Sequence, residues 1–495
     1  MPRVNASLDP QFAVLDLPAI EDAALSTASR LRASYACLRV HQIKTRMLHV
    51  RDLRLDTAVD HRDIGVGVRV IVDGAWGFAA TSDLSPAAVA SAAERACALA
   101  VRCAVLPGSA VRLADEPVAQ GTHFSSYRID PFEVSVADMV TRLQEQCALM
   151  AALDHTSASV ECAKETVFLA DLAGARIVQQ GVRIHPVYTG VRVTEQGFDD
   201  MSTTAPPTGR GWEYCLDGWD WDRELADMPE VLDEKVAAPS IEPGRYDLII
   251  DPTNLWLTIH ESVGHATEKD RALGYEANYA GTSFATPEKL DRLRYGSGLM
   301  NIRADRTVQH GLSTVGWDDE AVAAQSWDLV SDGMFVGYQL DRQMAAPLRS
   351  NGCAYADSAE HVPIQRMPNV SLQPDPGGGT TTDLIAGVDD GIYIVGDKSW
   401  SIDMQRFNFQ FTGQRFYRVR HGEVVGQVRD VAYQSNTLDF WNSLRALGGP
   451  RTYLLGGAFN CGKGQPGQVA PVSHGCPTAV FEAINVLNTR EEATQ

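Results

Sequence analysis

Hydrophobic and polar positions along this chain repeat with two periods, and each period marks a kind of element. In RVIVDGAWGFAATS (residues 69–82) two apolar runs flank Asp73-Gly74, which predicts strand, tight turn, strand. SPAAVASAAERACALAVRC (85–103) opens on Ser85-Pro86 and predicts an Ala-rich helix with Pro at its first helical position, ended by Pro107-Gly108. A second helix is predicted over 135–153. TVFLADL (166–172) and ARIVQQGVRIHPVYTGVRV (175–193) alternate as an antiparallel pair. Residues 202–222 are rich in Thr, Pro, Gly and Trp and read as a loop, and AAPSIEPG (237–244) reads as a link. Beyond the link, strands and turns dominate. RFNFQF (406–411) places Phe407, Phe409 and Phe411 on one face, FYRVRHGEVVG (416–426) reads as a hairpin turning at His421-Gly422, and DPGGGTTTDL (375–384) is a glycine-rich loop before a short helix. No repeat of fixed period is visible. The expected fold is α+β: N-terminal α/β units followed by a largely antiparallel β domain. The expected boundaries are 1–115, 116–240 and 241–495, the last unit carrying the chemistry.

The informative segment is RYDLIIDPTNLWLTIHESVGHATEKD (245–270). Tyr246–Ile250 reads as a buried strand. Asp251-Pro252 is a helix start, with Asp as N-cap and Pro at the first helical position. Leu255, Ile259 and Val263 then recur at spacing four, as the apolar stripe of a helix does. His260, Glu261 and His265 sit on this helix in the pattern H-E-x-x-x-H, one residue longer than the familiar H-E-x-x-H. In a regular α-helix, positions i and i+5 point about 140° apart and cannot share one ion. A π-bulge, or a break near Gly264, is therefore predicted between His260 and His265. A glutamate beside the first histidine suits a general base.

Two imidazoles need a third ligand to hold zinc, and the candidates lie in LLGGAFNCGKGQPGQVAPVSHGCPTAVF (454–481). They are Cys461, set among glycines, with His474 and Cys476 downstream. The same segment matches G-x-x-x-x-G-K from Gly457 to Lys463, but Gly464 stands where a P-loop has its Ser or Thr, so a nucleotide-hydrolysing reading is the weaker one.

Composition narrows the class. The chain has 495 residues, 44% hydrophobic and 21% charged, long enough for a large core without staples. With 43 Lys+Arg against 63 Asp+Glu, its net charge is −20, which predicts no direct nucleic-acid partner. No stretch reaches the ~18 apolar residues of a membrane helix, so no membrane partner is expected. Nine scattered cysteines, no CxxC pair and no basic-then-apolar start predict reduced thiols and a cytoplasmic location.

HESVGH (260–265), CGKGQP (461–466), GAWGFAATSDLSPAAVASAAERA (74–96) and SNGCAYADSAEHVPIQRMPNVSLQPDPGG (350–378) together resemble the TldD/PmbA family, once labelled modulator of DNA gyrase. The intact H-E-x-x-x-H resembles the TldD branch. The resemblance implies a zinc metallopeptidase with His260, His265 and Cys461 as metal ligands and Glu261 as catalytic base. It implies unfolded peptides or peptide precursors as substrates. It also implies a homodimer, or a heterodimer with a PmbA/TldE-like subunit. The alternative from a different class is a non-catalytic peptide-binding or scaffold subunit, which the intact motif disfavours.

Overall fold

The structure is a computed structural model that describes residues 7–492 apart from Ser109 and Gln196. Strands from the first two expected units join one sheet. Its order is Ala75–Thr81, Arg54–Val72, Tyr35–Arg51, His155–Asp171, Arg176–Thr194, Gln120–Phe124, with Gly197–Ser202 also paired to Arg176–Thr194. All pairs are antiparallel except that of Gln120–Phe124 with Arg176–Thr194. The turn predicted at Asp73-Gly74 forms, with φ of 51° and 78°, the left-handed values that match the twist of a two-residue hairpin. Helix Pro86–Cys103 starts where predicted, capped by Ser85, whose hydroxyl accepts the Ala88 N–H. It buries Val89, Ala92, Ala93, Ala96 and Ala100 against this sheet. The approach is so close that a Cβ on Gly77 would lie 2.0 Å from the Ala96 carbonyl oxygen. The second predicted helix is Val136–Ala148, shorter at its C-terminal end than expected. Two further helices, Leu17–Arg30 and Trp221–Ala237, pack on the same unit.

In the C-terminal half, the main sheet runs Asp390–Ile402, Gly244–Ile250, Ala479–Asn488, Val431–Asn436, Asn408–Arg420, Glu423–Val428. Asp390–Ile402 also pairs with Asn408–Arg420, so five strands close into a hydrogen-bonded circuit. The hairpin at His421-Gly422 and the short helix after the glycine-rich loop are both present, the latter with a capping box between Thr380 and Asp383. Phe409 and Phe411 are buried as the alternation predicts, and Phe407 packs against the same core from its edge. Around them Tyr433, Phe440, Trp441 and Phe481 form an aromatic cluster, with the Phe440 and Phe481 rings stacked at 4.0 Å. The largest apolar cluster of the chain lies here, under the helix that leaves Ile250. The overall α+β class is as expected.

That helix, Pro252–Ile259, is buried on nearly every side. Helices apolar all round belong in interiors. Its polar side chains all find partners. The Asn254 amide donates to the Gly396 and Thr412 carbonyls and accepts from the Tyr433 hydroxyl. Among the described residues no helix is long and apolar enough to cross a membrane, and none of the nine cysteines is paired with another.

Phe440 is fully buried and stacked. Phe440→Ala is expected to destabilise the C-terminal half by about 3–5 kcal/mol, read as a lowered denaturant midpoint for the transition that exposes its tryptophans. An unchanged midpoint would mean that the aromatic cluster does not hold this half together.

Candidate metal centre

Local backbone geometry solves the spacing problem posed by H-E-x-x-x-H. Pro252–Ile259 is α-helical, with the Asp251 carboxylate accepting the Thr253 N–H as the predicted N-cap. His260–Gly264 is then a π-turn and His265–Thr267 a 3₁₀ turn. The His265 N–H reaches back to the His260 carbonyl, an i→i+5 bond that inserts one residue into the turn. The predicted distortion is present, and it brings the two imidazoles to a centroid separation of 4.6 Å. Room at Gly264 is tight: a Cβ there would meet Met367 Sδ at 2.5 Å, so the Met367 side chain would have to shift. The turn is braced by Trp441, whose indole N–H donates to the Ser262 hydroxyl at 2.9 Å.

Cys461 arrives from the hairpin Leu454–Lys463/Gln468–Cys476, whose register slips between Ala458 and Cys461. Its Sγ lies 3.6 Å from His265 Nε2. One ligand atom from each of His260, His265 and Cys461 falls within 4.8 Å of the others, and all three side chains are buried. The three residues singled out from the sequence as a ligand set are brought together.

A second layer fixes which nitrogens face the centre. His474 Nδ1 lies 2.9 Å from the Val370 carbonyl and donates to it, which leaves His474 Nε2 as an acceptor. That nitrogen is 2.7 Å from His260 Nδ1, which donates, so His260 turns its Nε2 lone pair inward. His265 Nδ1 bonds Glu268 Oε2 at 2.9 Å, which turns its Nε2 inward too. Glu268 also takes Lys463 Nζ at 2.9 Å and Arg271 Nε at 3.1 Å. Burial, with Arg406 and Arg366 nearby, outweighs the pull of Glu261 and Glu268 and keeps His260 below the usual imidazole range. For Cys461 burial acts upward, but the charge and hydrogen bond of His265, together with Arg366, prevail and lower the thiol. Arg366 donates through one terminal nitrogen to the Cys461 carbonyl. Two imidazole nitrogens turned inward beside a thiol prone to ionise form a donor set that suits a metal ion.

Glu261 is 6% exposed and points to Arg406, whose Nη1 lies 2.8 Å from Oε2. Burial would raise its pKa, but His260, His265, Arg406 and Arg271 together hold it below the ordinary carboxylate range. The other sequence candidates stand aside from the donor trio. His474 supports His260 from behind. Cys476 Sγ lies 3.6 Å from the Pro252 carbonyl, with its thiol pushed well up by burial. Lys463 of the P-loop-like run is fully buried among Glu268, Asp270 and Glu276, and its run is β-hairpin, so it cannot cradle phosphate. Sequence reasoning missed Glu268, Arg406 and the supporting role of His474. Of these, only Glu268, three residues after His265, carried a local signal.

Comparison with known proteins gives the chain's family. The PmbA/TldA metallopeptidase C-terminal domain matches residues 243–488, and PmbA/TldA metallopeptidase domain 1 matches residues 38–100. A metalloprotease of Methanothermobacter thermautotrophicus is 26% identical over 452 residues, covering 90% of this chain and 94% of the relative. A zinc metalloprotease TldD homolog of Saccharolobus solfataricus is 26% identical over 276 residues, 55% of this chain and 58% of the relative. The crystal structure of TldE from Thermococcus kodakarensis shares the fold with a TM-score of 0.71 at 16% identity, over 94% of this chain and 99% of that one. These matches span both halves of the molecule, and this chain belongs to the TldD/PmbA family.

Proposed function

We propose that this chain is a zinc-dependent peptidase of the TldD branch that hydrolyses peptide bonds in unfolded peptides or peptide precursors. The observation that carries the reading is the convergence of His260, His265 and Cys461 with Glu261 on the same turn. Two imidazole nitrogens and a thiolate suit Zn²⁺, which prefers N and S donors and keeps a position open in catalytic sites. Bound there, zinc supplies Lewis-acid polarisation to a scissile carbonyl and to an attacking water.

The chain's own residues do the rest. Glu261, kept anionic by its cationic neighbours, accepts the proton of the attacking water and returns it to the leaving amine. Arg406 holds that carboxylate in place between turnovers. His474 and Glu268 fix the two imidazole tautomers and ring orientations. Among the described residues the Leu454–Lys463 strand pairs only with Gln468–Cys476, so its outer edge can take an extended peptide by backbone hydrogen bonds, with little dependence on sequence. A soluble, cytoplasmic dimer, either of two copies or with a TldE-like subunit, completes the proposal.

Glu261→Gln is expected to keep one zinc per chain by elemental analysis while peptide hydrolysis falls by about 10²–10⁴-fold. Hydrolysis at the parental rate would remove Glu261 as the base. Dialysis against a chelator should abolish cleavage and added Zn²⁺ should restore it; a preparation that carries no metal and never cleaves would favour the scaffold reading. His474→Phe leaves all three ligands but strips His260 of its acceptor, and should weaken zinc affinity by about 10–100-fold in a competition titration.

A further inference from the structure

A cavity of about 260 Å³ lies between the N-terminal sheet and the C-terminal half. This is well beyond the ~10–15 Å³ that one water needs, and near the lower end of small-molecule pockets. Its walls are largely apolar, with Val167 and Val182 on one side and Leu312 and Met367 on the other. Ser126, Thr307 and Gln309 at its rim are exposed.

Arg306 lines this cavity and is only 2% exposed, yet neither its Nε nor its Nη1 has a hydrogen-bond partner. Among the described residues no carboxylate forms an ion pair with it. The acid in its electrostatic reach, Asp318, is engaged elsewhere: its oxygens accept the backbone N–H groups of Glu320, Val322 and Ala354 at 2.8–2.9 Å. Burial, then the charge of Glu320, pushes the Asp318 carboxyl up to about 7, so it offers Arg306 only a weakened counter-charge. The other two guanidiniums in the lining are committed. Arg183 is paired with Glu165 at 2.7 Å, and the terminal nitrogens of Arg366 donate to the Cys461 and Gln468 carbonyls. A buried charge with no counter-ion is strongly unfavourable unless something else supplies one.

We propose that this cavity binds a carboxylate carried on a small apolar body, with Arg306 as its counter-ion. A planar guanidinium matches the two oxygens of a carboxylate, and the apolar walls take an aliphatic or aromatic remainder. Such a group comes from a free carboxylic acid or from the C-terminal residue of a peptide. None of His260, His265 and Cys461 lines the cavity, although Arg366 and Met367 contact both cavity and centre, and the proposal does not rest on the peptidase reading.

Calorimetric titration of the intact chain with 4-methylpentanoate (a free acid), N-acetylleucine (a peptide end), the amide of each, and inorganic phosphate tests this. At least one acid is expected to bind, with its amide at least tenfold weaker. Preference for 4-methylpentanoate assigns the site to free acids, and preference for N-acetylleucine assigns it to peptide termini. Arg306→Met should weaken acid binding at least tenfold and should not lower the melting temperature of the free protein, whereas a structural arginine would lower it. The proposal is overturned if neither acid binds, if amide and acid bind alike, if phosphate binds through Arg306 as tightly, or if Arg306→Met binds as the parent does. Should Arg306→Met fail to fold, the acid-to-amide ratio on the unaltered chain decides.

Discussion

The i→i+5 hydrogen bond from the His265 N–H to the His260 carbonyl is the constraint on which the candidate centre rests. With a regular α-turn at this point, the two rings would diverge and no placement of Cys461 could reach both. A π-turn is rare because its backbone geometry is poorer than that of an α-turn, so it persists only where its surroundings impose it. Here they do so from several sides. Trp441 ties down Ser262, Met367 fills the space that a side chain at 264 would need, and Gln339 donates to the Gly264 carbonyl. The five-strand circuit beneath supplies the rigidity that these contacts transmit.

Around that turn, charge is arranged in layers. The innermost groups are the imidazoles of His260, held below its usual range by burial, and His265, with a thiol lowered by its neighbours. Behind them Glu268, Asp270 and Glu276 face Lys463 and Arg271 in a buried ionic cluster. A cluster of this kind contributes little net stability, because desolvation offsets attraction, but loss of any one member leaves a charge stranded. Its contribution is orientation. It fixes the ring of His265 through Glu268, and it joins the hairpin that carries Cys461 to the helix that carries the histidines.

Much of this was legible in the sequence where the signal was local. The Asp73-Gly74 turn, the Ser85 and Asp251 caps and the distortion between His260 and His265 all follow from residue chemistry over a few positions. Of the long strands Tyr35–Arg51 and Arg54–Val72, only residues 69–72 read as strand from the sequence; the outer portion of the second is exposed on both faces and shows no alternation. Helix Trp221–Ala237 carries Pro229 inside it, which argues locally against a helix and is overridden by the burial of Trp221, Leu225, Met228 and Leu232. The pairing of His260 with His474 was illegible for another reason. It joins residues 214 positions apart, and no pattern along the chain encodes a contact made only by the folded sheet.

The order of strands has a consequence for biosynthesis. Gly244–Ile250, which launches the motif helix, is a central strand whose neighbours are Asp390–Ile402 and Ala479–Asn488, and Cys461 follows His265 by 196 positions. As the chain leaves the ribosome, its N-terminal sheet can assemble first, since domains tend to fold in order of emergence. The donor trio cannot come together until nearly the last strand has been translated. Topology therefore acts as a timer, keeping this constellation apart while the nascent polypeptide is itself still extended.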